Sequence, residues 1–184
     1  LTFAYPLSKK HFRGRNLILN LVIVTMLFGG GMIPSYLVYC AYGLYDSYWA
    51  LILPALISPF NMIIIKNFFQ DLPQELEDAA YIDGCSDIGT FVKIVLPLSK
   101  PAIATLCITS FTFEWNDFMG PLIYISTTSK KTIQLLLRMF NTQYSSNYAQ
   151  IMAAATVALI PVLILFAFLQ RYFVEGIASS GIKG

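Results

Sequence analysis

The sequence predicts an all-α, polytopic membrane protein with about four transmembrane helices and one ordered segment between them. Three observations carry this reading. Of the 184 residues, 57% are apolar and only 12% are charged, against roughly 45–50% and about 25% in a soluble domain. The charges are bunched, which leaves 30, 19 and 32 uncharged residues between Arg15 and Asp46, Asp46 and Lys66, and Arg138 and Arg171. The basic residues also fall unequally on the two sides that these stretches would separate.

About 20 mostly apolar residues cross the hydrocarbon core. Span A is expected over 17–37 and span B over 48–68. Span C is expected to start near Pro101 and end near Ile125, carrying Glu114 and Asp117. Span D is expected over 150–172. Leu1 to Leu7 reads as the tail of an earlier span. The chain opens on Leu1 with no charged start, short apolar core and small-residue cleavage site, so an upstream part of a longer protein is expected. The runs Gly29-Gly30-Gly31 with Pro34, Pro54 with Pro59, Gly120-Pro121 and Pro161 should interrupt the spans.

Lys and Arg concentrate on cytoplasmic loops. With the amino end inside, Lys9, Lys10, Arg13, Arg15, Lys66, Lys93, Lys100, Arg171 and Lys183 lie inside, and Lys130, Lys131 and Arg138 lie outside. Both ends and the B–C segment are then cytoplasmic, and the short A–B loop, with no Lys or Arg, is external.

Composition also excludes classes of function. A net charge of +2 gives no case for a nucleic-acid partner. Cys40, Cys85 and Cys107 are odd in number and widely spaced, and His11 is the only histidine. Neither a disulfide framework nor a Cys/His zinc site fits that pattern. An intramembrane enzyme using Glu114 and Asp117 as acid and base would need a nucleophile or metal. Cys107 lies two turns away and no histidine is in reach. A membrane-embedded assembly protein with no transported solute is a third reading.

The segment 71–97, DLPQELEDAAYIDGCSDIGTFVKIVLP, is too polar to span and too long for an idle connection. Asp71 and Gln74 fit a capping box with Pro73 in the first turn. Glu75, Glu77 and Asp78 sit where carboxylates favour the positive end of a helix dipole. Leu76, Ala79, Ala80 and Asp83 then mark a narrow face of small residues. Gly84 is suited to end the helix in the left-handed conformation, and Ser86 or Asp87 to cap a second helix running into Leu96-Pro97. The elbow is either an interfacial helix joining two spans or a docking element. Its acidity favours a protein partner over anionic lipid, because membrane-surface helices are rich in Lys and Arg.

This segment resembles the EAA signature of ABC-importer permease subunits: Glu-Ala-Ala, three residues, Gly, nine residues, Ile, any residue, Leu, Pro. Here it reads Asp78-Ala79-Ala80, Gly84, Ile94, Leu96 and Pro97, with every spacing kept and Asp78 in place of Glu, preceded by Glu77. Leu98-Ser99-Lys100-Pro101, Trp115-Asn116-Asp117-Phe118 with Pro121-Leu122, and the tail Gln170-Arg171-Tyr172-Phe173 through Gly181-Ile182-Lys183-Gly184 resemble stretches of carbohydrate-type, maltose-permease-like members. The resemblance covers essentially the whole chain. It implies the MetI-like transmembrane domain of a type I ABC importer over 1–184, lacking its first one or two helices, with the coupling segment at 71–97.

The same resemblance implies that Glu77, Asp78, Ala79, Ala80, Gly84, Ile94, Leu96 and Pro97 couple the chain to a separate ATPase. No GxxxxGK[ST] loop occurs in the sequence, so ATP and Mg are expected on that partner and no cofactor on this chain. The implied partners are a homologous second permease, an ATPase dimer and an extracellular or periplasmic solute-binding protein, all at a bacterial cytoplasmic membrane. A sugar or oligosaccharide is the implied solute; an amino-acid or peptide importer is the alternative. Asn61, Glu114, Trp115, Asn116 and Asp117 either line the solute path, as intramembrane polar groups tend to, or bond to neighbouring helices, with Trp115 an interfacial anchor. The tail from Glu175 is expected to reach the ATPase interface.

Overall fold

The computed structural model describes residues 1–140 and 148–180, with side chains to Met139 and from Tyr148 to Tyr172. All regular structure among them is helical: α1 (Ala4–Ser8), α2 (Arg15–Leu27), α3 (Met32–Ala41), α4 (Trp49–Ala55), α5 (Pro59–Asp71), α6 (Gln74–Ile82), α7 (Asp87–Leu98), α8 (Lys100–Trp115), α9 (Met119–Tyr124), α10 (Ile133–Phe140) and α11 (Tyr148–Ser180). The expected tail contact falls beyond Tyr172, where side chains, and beyond Ser180 the backbone, lie outside the described residues.

Two stretches are each long and apolar enough to cross a membrane, Trp49–Asp71 and Tyr148–Tyr172, and they match spans B and D. Two bent pairs qualify when taken together: α2 with α3, and α7 with α8, the latter bent by 71°. Span A is therefore not one straight helix. Gly31 takes φ +83° at the start of α3, a region that favours glycine, and the chain breaks there. Span C differs too. Its helix stops at Trp115 and restarts at Met119, because the Asp117 carboxylate accepts the Met119 and Gly120 N–H groups at 3.0 and 3.2 Å and so opens a new helix. Many apolar side chains stay exposed in the isolated chain, among them Leu27, Ile33, Phe113 and Phe168. Helices apolar on every side suit lipid or a partner subunit.

The chain forms two compact units. The first comprises Leu1–Gly29, Ser58–Cys107 and Gln170–Gly184, the last with four residues outside the described set. Its core joins Ala4 and Tyr5 of α1, Ile65 and Phe69 of α5 and Val95 of α7, with Ala102, Ile103 and Leu106 of α8 packed alongside. The Tyr5 ring lies 4.8 Å from Phe91 and 6.0 Å, edge-on, from Phe69. Edge and tilted contacts of this kind are the favoured aromatic geometry. At the α7–α8 bend, fully buried Ser99 returns its hydroxyl to the Val95 carbonyl at 2.6 Å. Such a bond competes with the helical ladder and bends it, and Pro101 supplies no N–H to restore it.

The second unit comprises Gly30–Ile57 and Ile108–Leu169. Here α4 packs on α9 at Gly120, where a Cβ would lie 3.4 Å from Leu51 and 2.5 Å from the Asp117 carboxylate. The loop after α3 is tied to the loop after α9 through Asp46, a non-glycine residue at φ +55°. Its amide donates to the Tyr124 carbonyl at 2.8 Å. Its carboxylate accepts from the Ser126 and Thr127 amides at 3.0 and 2.9 Å, from the Thr127 hydroxyl, and from Lys130 Nζ at 3.1 Å. Tyr36, Tyr39, Tyr45 and Tyr124 stack beside this clamp.

Candidate coupling segment

The elbow at 71–97 is built largely from backbone demands. Helix α6 starts at Gln74, directly after Pro73, with no side-chain cap. The expected Asp71–Gln74 capping box does not form, because Asp71 is the last residue of α5 and is spent inside that helix. At the other end the expectation holds. Gly84 takes φ +79°, Cys85 N–H donates to the Ala80 carbonyl at 2.9 Å, and Gly84 N–H to the Tyr81 carbonyl at 3.0 Å. This pair of bonds is the Schellman ending, and it needs a left-handed residue at that place. Ser86 then caps α7, its hydroxyl accepting the Gly89 N–H at 3.2 Å.

The sequence marks Leu76, Ala79, Ala80 and Asp83 as a narrow face of small residues on α6. The face that the structure buries is Glu77 and Ala80, one turn apart, while Leu76, Asp78, Ala79 and Asp83 are exposed. Glu77 forms an ion pair with Lys9, and Ala80 lies one turn further along the same face. Glu77 is therefore turned toward its own chain. Asp78, Ala79, Ile82 and Ile88 face outward, Ile82 and Ile88 being 87% and 77% exposed.

Across the bend, Tyr81 donates its hydroxyl to Asp87 Oδ1 at 2.8 Å. That bond, and then burial, hold the Tyr81 phenol well above its ordinary range, so it stays protonated. Within α7, Ile94 and Leu96 are half-buried and Pro97 is exposed, two residues before the Ser99 bend. Val95 between them enters the core. Sequence reasoning missed Val95, Tyr5 and Lys9. The aromatic trio Tyr5, Phe69 and Phe91 gives no periodic signal, since it comes from three separate elements.

The other candidate residues fall in different surroundings. Asn61 is half-buried in the first turn of α5, its amide on the Ser58 hydroxyl at 3.3 Å. Glu114 is exposed at the end of α8. Trp115 stacks on Phe111 with ring centroids 5.5 Å apart, and its indole N–H donates to the Ala158 carbonyl at 3.0 Å. Asn116 donates to the Thr112 carbonyl at 2.8 Å and accepts from Gln134 at 3.2 Å. Asp117 caps α9 as described. Asn61 belongs to the first unit and the other four to the second.

The chain is similar to known proteins. The family profile described as "binding-protein-dependent transport system inner membrane component" matches residues 1–179. Protein LplC of Bacillus subtilis is 49% identical over 197 residues, covering 100% of this chain and 67% of LplC. The polygalacturonan/rhamnogalacturonan transport system permease protein YtcP of the same organism is 45% identical, covering 98% of this chain and 68% of its own. The crystal structure of a bacterial ABC transporter involved in the import of the acidic polysaccharide alginate superposes with a TM-score of 0.81 at 28% identity, over 93% of this chain and 66% of that one. The chain thus spans about two thirds of the length of these relatives. The fold is that of an ABC importer permease, a multi-pass membrane protein built for transport rather than catalysis, and the chain belongs to the family of inner membrane components of binding-protein-dependent transport systems.

Proposed function

We propose that this chain is the permease subunit of an ATP-driven importer that moves a sugar or oligosaccharide across the bacterial cytoplasmic membrane by alternating access. The observation that carries the coupling is the elbow. An exposed face of Asp78, Ala79 and Ile82 is joined, through a capped glycine bend and a packed aromatic core, to the helices on either side. A push on that face is transmitted because the joint is rigid. A carbohydrate solute is supported by the carbohydrate-type motifs and by the names of the YtcP and alginate relatives. The amino-acid or peptide alternative has no such support.

The partners of this reading are a homologous second permease, an ATPase dimer that binds ATP and Mg, and an external solute-binding protein. No cofactor is assigned to this chain. The elbow and both chain ends lie on the cytoplasmic side, and the loops joined by Asp46 and Lys130 lie outside; that these two loops are bonded to each other supports a common side for them. Asn61 in the first unit, and Glu114, Trp115, Asn116 and Asp117 in the second, are each candidates for contact with the solute, with Trp115, Asn116 and Asp117 braced by bonds to their own chain and Glu114 as the exposed acid.

The test is ATP turnover in the reconstituted complex. Oligosaccharides from a pectin digest, added with the binding protein, should stimulate hydrolysis. Gly84→Pro should abolish both the stimulation and the assembly with the ATPase. A Gly84→Pro complex that assembles and is stimulated like the wild type contradicts the coupling role.

A further inference from the structure

The first nine residues are held from four directions. Tyr5 packs between Phe69 of α5 and Phe91 of α7. Gln70 of α5 donates to the Ser8 carbonyl at 3.2 Å, and Arg15 of α2 donates to the Leu7 carbonyl at 2.9 Å. Leu7 is 1% exposed. The fourth tie is the Lys9–Glu77 ion pair, which reaches α6, and the Lys9 ammonium also sits 4.7 Å over the Tyr5 ring. Among the described residues this is the one ion pair made by the elbow, and Glu77 is 6% exposed. A carboxylate at that burial needs a hydrogen-bonding or cationic partner beside it. Glu77 is thus directed at its own chain, whereas Asp78 next to it is directed outward.

We propose that Lys9 and Glu77 form a pin that fixes α6 to the membrane core through the amino-terminal segment, and that this pin sets how much of a movement imposed on α6 reaches the helices. The inference rests on the importer reading above and assigns Glu77 a positioning role, leaving Asp78, Ala79 and Ile82 as the face that meets the ATPase. Helix α6 is short, nine residues, and apart from this ion pair it is held by buried Ala80, by the Tyr81–Asp87 bond and by its chain connections at Pro73 and Gly84. Without the pin it rotates about those ends, and a push on its outer face is absorbed locally.

The test uses the complete complex, with sister permease, ATPase and binding protein, and a nitroxide at Met152, an exposed position on α11. The probe is ATP, Mg and vanadate, which need no identified solute. In the wild type, vanadate trapping should change the mobility of the nitroxide. Lys9→Met, which keeps the stem over Tyr5, and Glu77→Gln should keep assembly and basal hydrolysis. Each should reduce the responding fraction by about fivefold, the low end of typical coupling between sites. The double exchange Lys9→Glu with Glu77→Lys should restore it. Single variants that respond like the wild type, or an exchange that restores nothing, overturn the pin. A wild-type complex whose nitroxide never responds overturns the importer reading instead.

Discussion

Tyr81 and Asp87 meet across the Gly84 bend, the tyrosine hydroxyl 2.8 Å from the carboxylate oxygen. They are the side-chain brace that joins the two sides of the bend, beside the backbone bonds at Gly84 and the Ser86 cap. Removing the hydroxyl by Tyr81→Phe deletes the brace and leaves the ring in place. The expected loss is about 1 kcal/mol, the usual net worth of such a bond, read as a lower melting temperature of the purified complex. Solute-stimulated hydrolysis should fall while basal hydrolysis does not.

Gly84→Ala separates the backbone requirement from packing. A Cβ on Gly84 would meet nothing within 4 Å, so space is not the issue. The cost is the left-handed conformation alone, about 1–2 kcal/mol for a residue with a Cβ. Gly84→Asn should cost less, since Asn tolerates that region. Thermal unfolding of the three forms should rank Gly, Asn, Ala.

Asp46 makes the loop clamp acid-sensitive. The Thr127 hydroxyl and amide, with Lys130 and the Ser126 amide, hold its carboxyl well below the usual range. A lowered folded pKa means stabilisation that is complete above the unfolded value, about 3.9, and is lost as pH falls below it. The melting-temperature contribution of the clamp should therefore hold from pH 6 to about pH 4 and fall below that. Asp46→Asn should lower stability at pH 6 and flatten that dependence. An unchanged pH dependence in the variant contradicts the clamp.

Trp115→Phe tests whether the indole holds α8 to α11 within the second unit. The bond is made to the Ala158 carbonyl, in the turn of α11 that precedes Pro161. Losing it should cost ~1 kcal/mol in unfolding from detergent. Trp115→Ala should cost more, since it also removes the stack on Phe111. If Phe and Ala cost the same, the stack contributes nothing.

The elbow was legible in the sequence because it is made of backbone demands that a single residue announces. Gly84 ends α6 and Ser86 starts α7 wherever the rest of the chain goes. Spans B and D were legible because a continuous apolar run of that length has one use. The rest was set at a distance. The burial of Glu77 was not legible because its partner Lys9 lies 68 residues away in the sequence. The break of span C after Trp115 follows from an aspartate used as a cap within an apolar stretch. Asp46 gave no signal, since a lone aspartate in a short loop does not show that it will turn left-handed and gather four donors from residues 126–130.

The most direct measurement is labelling at Ile82, the most exposed apolar residue of the elbow, in a background where Cys40, Cys85 and Cys107 are replaced. With Ile82→Cys in intact cells, a membrane-impermeant maleimide should fail to react. It should react after permeabilisation, and the bound ATPase should protect the site. Labelling in intact cells, or labelling indifferent to the ATPase, contradicts a cytoplasmic elbow that docks on a motor.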